Sequence, residues 1–526
     1  MLERLFDAAP EVLRRIALFT VFDAEISGPP RDFLNLTLVC RAAHRILSLN
    51  SAPLYADVFA QTFDIRGPIC RLGERAVREN AKLELKRRFT ALNIFRKGEL
   101  DDFRLTDAFW TAYMMFEDAD TGQKNTKHLL GSGLLVFLDK FLQKRLYRGS
   151  QTNNGWPIPN EQNSLAVALF WLSSSHRSVN LESVEVRADV ERLLKPFVFA
   201  AFRYPIFSTA ESCFDIATFT HQATSSSVHG PYPPPPLLPR DVTYFGDIPR
   251  TMRVPSISLF SALSFFARQE TICPQIPPHL QEQHRKSVQS PNLGPTFDDI
   301  KHFADHCRTN FAHFPGFDAS VLRGSVGASS RPTFGPTLAE SMPYKLGTLT
   351  GNWQGSYIAS HCLEFTALLS DASLLQHPFL EDYKSWLGTL TAPPVFPTTG
   401  RFPLYMSLQE HFTRDPDAMI PRAEGTTNAW LPAGFNWVQR ENGIEVFDEK
   451  GSFRTFYNTV RGRTNPVELR DAVDVIITGQ TDEKRAAAWG AYRMYGRIRL
   501  ADGLIVLAWE AVNGTGAALI RGYGNA

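Results

Sequence analysis

The chain has 526 residues, of which 44% are hydrophobic and 12% aromatic, and its formal net charge at pH 7 is +1. This length predicts about two to four domains with well-filled cores. The balanced charge excludes a globally basic nucleic-acid binder and an acidic tail. The six cysteines show no CxxC spacing, which is typical of reduced thiols in a chain of this length.

Neither a secretory leader nor a membrane span is expected. No basic and then apolar leader precedes Glu3 and Arg4. The longest apolar stretches, such as residues 257–267, are too short and too interrupted to cross a bilayer. Together with the reduced thiols, these features predict a cytoplasmic or nuclear protein that binds no membrane and no nucleic acid.

Three short amphipathic segments follow one another near the N-terminus. Pro10 opens the first, where its missing N–H costs nothing because first-turn donors have no intrahelical partner. Apolar residues then recur at helical spacing. They are Val12, Leu13, Ile16 and Phe19; then Leu36, Val39, Ala43, Ile46 and Leu47; then Leu54, Tyr55, Val58, Phe59 and Phe63. A unit of roughly 50 residues buries only part of such faces, so the remaining apolar surface predicts a partner.

Two stretches of this region carry a family resemblance. Residues 9–16 read APEVLRRI and residues 33–41 read FLNLTLVCR. They resemble the F-box, the helical motif that docks substrate-recognition subunits onto Skp1 in cullin-RING ubiquitin ligases. An ordinary three-helix start to a larger helical domain is the alternative interpretation. The resemblance implies a Skp1-binding surface made of Pro10, Leu13, Ile16, Leu36, Leu38, Val39 and Cys40.

Residues 66–210 are predicted to form a mainly helical platform. Its apolar segments lie at 107–116, 134–142 and 165–172. The stretch 71–97 holds nine basic and three acidic residues. It is interpreted as a solvated helix face rather than a phosphate or acidic-partner contact, because it lacks interleaved stacking aromatics.

Residues 211–340 are predicted to be a Pro/Ser-rich linker with short helices. The run at 231–236 is interpreted as a stiff linker rather than a ligand for an SH3 or WW module, and residues 254–268 as a helix. His302 and His306 stand four residues apart, a spacing that can share a metal ion. Without a His-Glu-x-x-His motif or a third ligand, a solvated helix face is favoured, so neither a metal nor a cofactor is expected.

From about residue 341 to the end, the pattern changes to short strands separated by glycine turns. The runs are 351–357, 404–408, 443–447, 453–457, 473–478, 492–499 and 504–509. Strands at this spacing predict an antiparallel barrel or sandwich. The expected fold class is therefore multidomain α+β, with a small three-helix F-box at 5–65, a helical middle region and a C-terminal β domain at 341–526.

The first of these strands carries a second resemblance. Residues 351–357 read GNWQGSY, which resembles the Gly-x-Trp-x-Gly-x-Tyr strand of F-box proteins that end in a substrate-binding β domain. Chains of this type from fungi are similar. The resemblance implies a substrate site around Trp353, Tyr357 and His361, whereas plain filling of the barrel is the alternative role of these residues.

The function that the sequence predicts is that of an adaptor rather than a catalyst. Its partners would be Skp1, through Skp1 a cullin-RING ligase, and a protein substrate held by the C-terminal domain. One alternative is a lipocalin-like small-ligand-binding barrel with a helical N-terminal interaction module. Another is an enzyme whose catalytic residues are too scattered to recognise in one sequence.

Overall fold

The computed structural model describes a mixed α+β protein, which confirms the predicted fold class. The described residues are 10–22, 29–49, 52–120, 123–153, 155–200, 203–204, 237–246, 248–270, 294–307, 311, 344–360, 399–420, 434–461, 471–500, 504–512 and 517–523. α-Helices build the N-terminal half, and a curled antiparallel β-sheet, shaped as a half-barrel, builds the C-terminal half.

In the described residues, the N-terminal half consists of helices with one β-hairpin packed against them. The elements are α1 (Pro10–Phe22), α2 (Arg31–Leu38), α3 (Arg41–His44) continued by a π-helical turn (Arg45–Leu49), α4 (Ala52–Thr62), α5 (Arg66–Leu72), α6 (Glu74–Lys97), α7 (Leu105–Glu117), α8 (Lys124–Gly131), α9 (Leu134–Arg145), α10 (Glu161–Ser173), α11 (His176–Leu181), α12 (Val184–Phe199), the hairpin β1 (Arg240–Tyr244) and β2 (Ile248–Met252), and α13 (Ile257–Gln269).

The second amphipathic segment is two helices rather than one. Cys40 has an extended backbone, with φ −158°, and its Sγ accepts the N–H of Ala43 at 3.4 Å. This N-cap starts α3 and ends the continuity with α2. The prediction of a single helix over this segment was therefore wrong, because sequence periodicity alone does not register a cap between two helices that share one apolar spacing.

One hydrophobic core joins the N-terminal helices to the helical platform. α4 packs along α6, and its buried Leu54, Val58 and Phe59 belong to the same core as residues of α7, α9 and α10. The boundary expected between residues 65 and 66 thus lies inside a shared core.

α13 confirms the helix predicted at 254–268, but its surroundings differ from those of a linker. It packs against α10 and α12, and its Ile257 and Phe260 are buried in the same core. The proline run at 231–236 lies outside the described residues.

A buried cluster of charges links α6, α7 and the hairpin. The Arg88 guanidinium donates to Glu84 Oε1 at 2.8 Å and to Asp118 Oδ2 at 2.7 Å. The Tyr244 hydroxyl donates to Asp118 Oδ1 at 2.8 Å, and Arg71 forms a further ion pair with the same carboxylate. Arg88, Glu84 and Asp118 are almost completely buried. Each charge is therefore paired, as buried charges must be.

The turn of the hairpin is held by the same cluster. Phe245 has φ 47°, a strained value for a non-glycine residue, and its N–H donates to Glu84 Oε2 at 3.2 Å. Its ring lies 5.2 Å from that of Phe59. Gly246 follows with φ 79°, and a Cβ there would lie 2.4 Å from Asn80 Oδ1. Burial and hydrogen bonding hold Phe245 in this conformation.

Within the described residues of the C-terminal half, nine strands form one antiparallel sheet in the order β11-β10-β9-β8-β4-β7-β6-β5, with β3 also paired to β4. The elements are α14 (Phe297–His306), β3 (Gly351–Ser360), β4 (Thr399–Thr413), β5 (Phe435–Arg440), β6 (Gly443–Asp448), β7 (Arg454–Thr459), β8 (Asp474–Gln480), α15 (Glu483–Trp489), β9 (Tyr492–Arg499), β10 (Leu504–Ala511) and β11 (Ala517–Tyr523).

The long strand β4 organises this sheet. Its first part pairs with β3, from Ser360↔Thr399 to Gly351↔Leu408, and its last part pairs with β8 and briefly with β7. All seven predicted strands are present. The edge strands β5 and β11, the hairpin β1–β2 and α15 were not predicted.

We expect Asp118→Asn to lower the free energy of unfolding by about 3–5 kcal/mol, because it removes the carboxylate shared by Arg88 and Arg71 and leaves the buried Arg88 with Glu84 as its one remaining carboxylate partner among the described residues. Arg75→Gln is the matched control: it removes an exposed ion pair with Glu79 on α6 and should cost less than about 1 kcal/mol. Urea unfolding of the full chain measures both changes, and amide hydrogen exchange of residues 240–252 should rise in Asp118→Asn alone. Equal stability losses in the two variants would contradict the assigned role of the cluster.

Candidate functional site

α1 is apolar on two sides. Its buried side carries residues spaced by four, namely Leu13, Ala17 and Val21. Its outer side carries Val12, half-buried Ile16 and Phe19, whose side chain is 64% exposed. The spacing of these three residues places them on one stripe of the helix.

α2 continues this apolar surface. Phe33 and Thr37 are buried. Leu34 and Leu38, one turn apart, are exposed, and so is Val39 directly after the helix; the exposed fractions of Leu38 and Val39 are 74% and 52%. α1 and α2 pack against each other. We call the set Val12, Phe19, Leu34, Leu38 and Val39 the N-terminal apolar surface.

The predicted Skp1-binding residues do not all lie on this surface. Pro10, Leu38 and Val39 are exposed, whereas Leu13 is buried. The remaining three, Ile16, Leu36 and Cys40, are half-buried, and the Cys40 sulfur is used as the cap of α3. Val12, Phe19 and Leu34 were not chosen from the sequence. The sequence does show these residues as apolar positions at helical spacing, on a stripe next to the stripe of buried residues.

Exposed charged residues accompany these apolar side chains. Among the described residues of α1, α2, α3 and the π-helical turn, the exposed basic ones are Arg15, Arg31, Arg41 and Arg45, and the exposed acidic ones are Glu11 and Asp32. Within this described part, the excess of arginine favours a partner whose apolar contact patch has an acidic border.

The residues predicted for substrate binding have separate surroundings. The Trp353 ring is 40% exposed, and its Nε1–H donates to the carbonyl of Leu349 at 2.7 Å. Tyr357 packs edge-on against Trp509 at 4.7 Å, and its burial raises the pKa of the hydroxyl. His361 lies outside the described residues. Trp353 therefore presents surface, whereas Tyr357 packs within the sheet core.

The curvature of the sheet creates a concave face. Trp437 of β5 and Tyr495 of β9 lie far apart in the strand order, yet their rings are 5.0 Å apart. Arg493 stands over Trp437 at 5.9 Å, and the Tyr495 hydroxyl donates to Glu510 at 2.5 Å. That hydrogen bond raises the pKa of Tyr495 to about 12. Aromatic rings and charged groups therefore converge here, an arrangement suited to binding a polar ligand or peptide.

The centre of the same face is filled by buried polar groups. Arg497 Nε and Nη2 donate to the Asp474 carboxylate at 2.7 and 3.0 Å, and the Tyr457 hydroxyl donates to it at 2.6 Å. An apolar cluster that includes Ile444, Val446 and Ile476 packs around them.

His411 lies beside this ion pair. Its ring nitrogens are 2.9 Å from Thr459 Oγ1 and 2.8 Å from Thr478 Oγ1, and its burial lowers the pKa to about 4. A neutral, doubly hydrogen-bonded imidazole of this kind stabilises the sheet.

His302 and His306 stack at 4.1 Å, and one ring nitrogen of each has a local partner. His306 Nδ1 lies 2.9 Å from the carbonyl of His302, and His302 Nε2 lies 3.2 Å from the Arg485 guanidinium. Among the residues that the structure describes, no group of three or more His, Cys, Asp or Glu side chains is arranged to hold a metal ion. None of the described helices is long and apolar enough to cross a membrane.

Comparisons of the chain with protein-family models, with curated proteins and with solved structures found no match.

We expect His411 to make stability depend on pH. Unfolded His411 binds its proton near 6.5 and folded His411 near 4, so stability should fall as the pH drops through 6.5 and level off below about 4. The loss is at most about 3 kcal/mol. Urea unfolding between about pH 7 and pH 4 of the wild type and of His411→Asn isolates this contribution from the carboxylates. Parallel profiles for the two proteins would exclude it.

Proposed function

We propose that this protein is a substrate-recognition adaptor subunit of a Skp1–cullin–F-box ubiquitin ligase. It binds Skp1 through the N-terminal apolar surface and a protein substrate through the C-terminal sheet. The observation that carries the proposal is the exposure of Val12, Phe19, Leu34, Leu38 and Val39 on two adjacent helices, in the region whose sequence resembles an F-box.

The energetics of this surface support docking. Burying each exposed apolar side chain contributes on the order of 1.5–3 kcal/mol before the costs of association are subtracted. Leu38 and Val39 lie next to each other and are more than half exposed. Covering these two side chains therefore contributes most of the binding free energy that the apolar surface can supply. The arginines around the surface add complementarity to an acidic border and speed the encounter.

The concave face of the sheet is the best-supported surface for the substrate. Trp437 and Tyr495 supply rigid rings, and Arg493 and Glu510 supply charges of both signs within the same contact area. Aromatic residues and arginine are typical of the energetically important positions of protein interfaces. By holding Skp1 at one end and a substrate at the other, the chain raises the effective concentration of the substrate near the ubiquitin-transfer machinery.

The double variant Leu38→Asp/Val39→Asp should lose Skp1 binding, because it places two carboxylates in the apolar contact. Co-purification with Skp1 and titration calorimetry of the purified full chain should show the dissociation constant rising at least about a hundredfold, or about 2.7 kcal/mol. The fold should be unaffected, because both side chains are exposed.

Val136→Asp/Val184→Asp is the matched control, since both valines are about as exposed as Leu38 but lie on α9 and α12. Skp1 capture by this control should equal that of the wild type. Undiminished capture by the Leu38/Val39 variant would overturn the proposal. Deleting residues 1–65 is a poorer test, because it also removes Val58 and Phe59 from the shared core.

A further inference from the structure

A cleft of about 520 Å³ opens between α6, α7 and β1, away from the N-terminal apolar surface and the concave face of the sheet. Four basic side chains line it, namely Lys86, Arg87, Arg104 and Arg240, together with two acidic ones, Asp107 and Asp241. Its volume lies within the range of about 300–1,000 Å³ that small-molecule sites occupy.

The wall formed by α7 and β1 has balanced charges. Arg240 donates to Glu161 Oε2 at 2.9 Å and to Asp107 Oδ1 at 3.0 Å. The indole N–H of Trp110 donates to the other oxygen of Glu161 at 2.5 Å. These bonds fix the wall in place and leave little net charge on it.

The wall formed by α6 carries a buried guanidinium whose hydrogen-bond donors are not all satisfied, and an exposed lysine beside it. Only 21% of the Arg87 side chain is exposed, and its Nε and Nη2 atoms are buried without a hydrogen-bond partner among the described residues. The nearest carboxylate, that of Glu84, is 3.4 Å away and already accepts from Arg88 and from the N–H of Phe245. Exposed Lys86, one residue earlier, makes no ion pair in the described part of the chain.

A buried guanidinium with free donors is costly unless an anion reaches it. Desolvation lowers the pKa of Arg87, which is the expected sign of a cation that lacks a sufficient counter-charge.

Apolar groups lie beside these cations. Leu83, 53% exposed, lines the cleft together with the buried Ile94, Trp110 and Val242. Exposed apolar surface inside a concave site favours a ligand with an apolar body of its own.

We propose that this cleft binds a small organic anion, whose phosphate or carboxylate group is held by Arg87 and Lys86 while its apolar body lies on Leu83 and Val242. Six of the nine basic residues at 71–97 thus fall into three groups. Arg71 and Arg88 balance the buried cluster, Arg75 and Arg78 form exposed pairs with Glu79 and Glu74, and Lys86 and Arg87 form the anion site.

A purely structural role for Arg87, as a second partner of Glu84, makes the opposite prediction. In that case removing Arg87 would destabilise the protein, and no anion would stabilise it. If Arg87 instead serves a ligand, its loss removes a buried guanidinium whose donors are unsatisfied and leaves the stability of the unliganded protein unchanged or higher.

Calorimetric titration of the full chain with phenyl phosphate, benzoate, inorganic phosphate and phenol tests the proposal. We expect phenyl phosphate or benzoate to bind at least about tenfold more tightly than inorganic phosphate and phenol. The stronger of the two organic anions identifies the charged group. The same ligand should raise the midpoint of thermal unfolding of the wild type.

Arg87→Met should weaken this binding at least about tenfold. Lys86→Met should also weaken it, and because the Lys86 side chain is exposed, this substitution leaves the fold intact. Arg75→Met, on the same helix but in an exposed ion pair, should bind as the wild type does. Failure of both organic anions to bind the wild type would overturn the proposal, and so would binding by Arg87→Met and Lys86→Met that is as tight as that of the wild type. No Skp1 is present in these titrations, so their outcome is independent of the adaptor proposal.

Discussion

The guanidinium of Arg88 lies at the centre of the helical half, and elements far apart in the chain meet around it. Glu84 and Asp118 neutralise it, and the rings of Phe59 and Phe63 face it at 4.8 and 5.1 Å. Because buried charges need partners of opposite sign and their hydrogen bonds must be satisfied, the elements around Arg88, namely α4, α6, α7 and the hairpin, are held in one arrangement. This constraint also sets the geometry of the cleft, since α6 carries Arg88 inward and Arg87 toward the cleft on consecutive positions.

The N-terminal apolar surface depends on the same body. α4 is fixed by its packing along α6, and α1 packs on α4 and α2. Since Leu13, Ala17 and Val21 are used by that packing, the opposite stripe of α1 is left outside. The C-terminal half also contains a buried ion pair, in which the charges of Asp474 and Arg497 neutralise each other beneath the curled sheet. In each half the buried charges are thus neutralised by partners from distant parts of the chain.

The spacing of apolar residues was enough to find most elements, because a helix or strand with one buried face has apolar residues at its own structural period. Residues 492–499 were predicted and observed as a strand with the same bounds. The strands β5 and β11 were missed because they lie at the edges of the sheet, and the exposed residues of β5 give no clear alternation. At the candidate site, the resemblance to an F-box selected Leu38 and Val39, which are exposed, together with Leu13, which is buried. Spacing could not show that Leu13 points inward, because both faces of α1 are apolar.

By itself the sequence determined the class of fold and the succession of a helical half and a β half. It also determined that the N-terminal unit carries more apolar surface than its own core can bury. These properties depend on local spacing and composition. Only the tertiary structure decided which of the nine basic residues at 71–97 are buried, paired or free, and which apolar stripe of α1 faces outward. The reason is physical, because the environment of a charge or of an apolar side chain is set by groups distant in the chain, such as Asp118 and Tyr244 around Arg88. The local sequence pattern does not show which distant groups will pack against a given side chain.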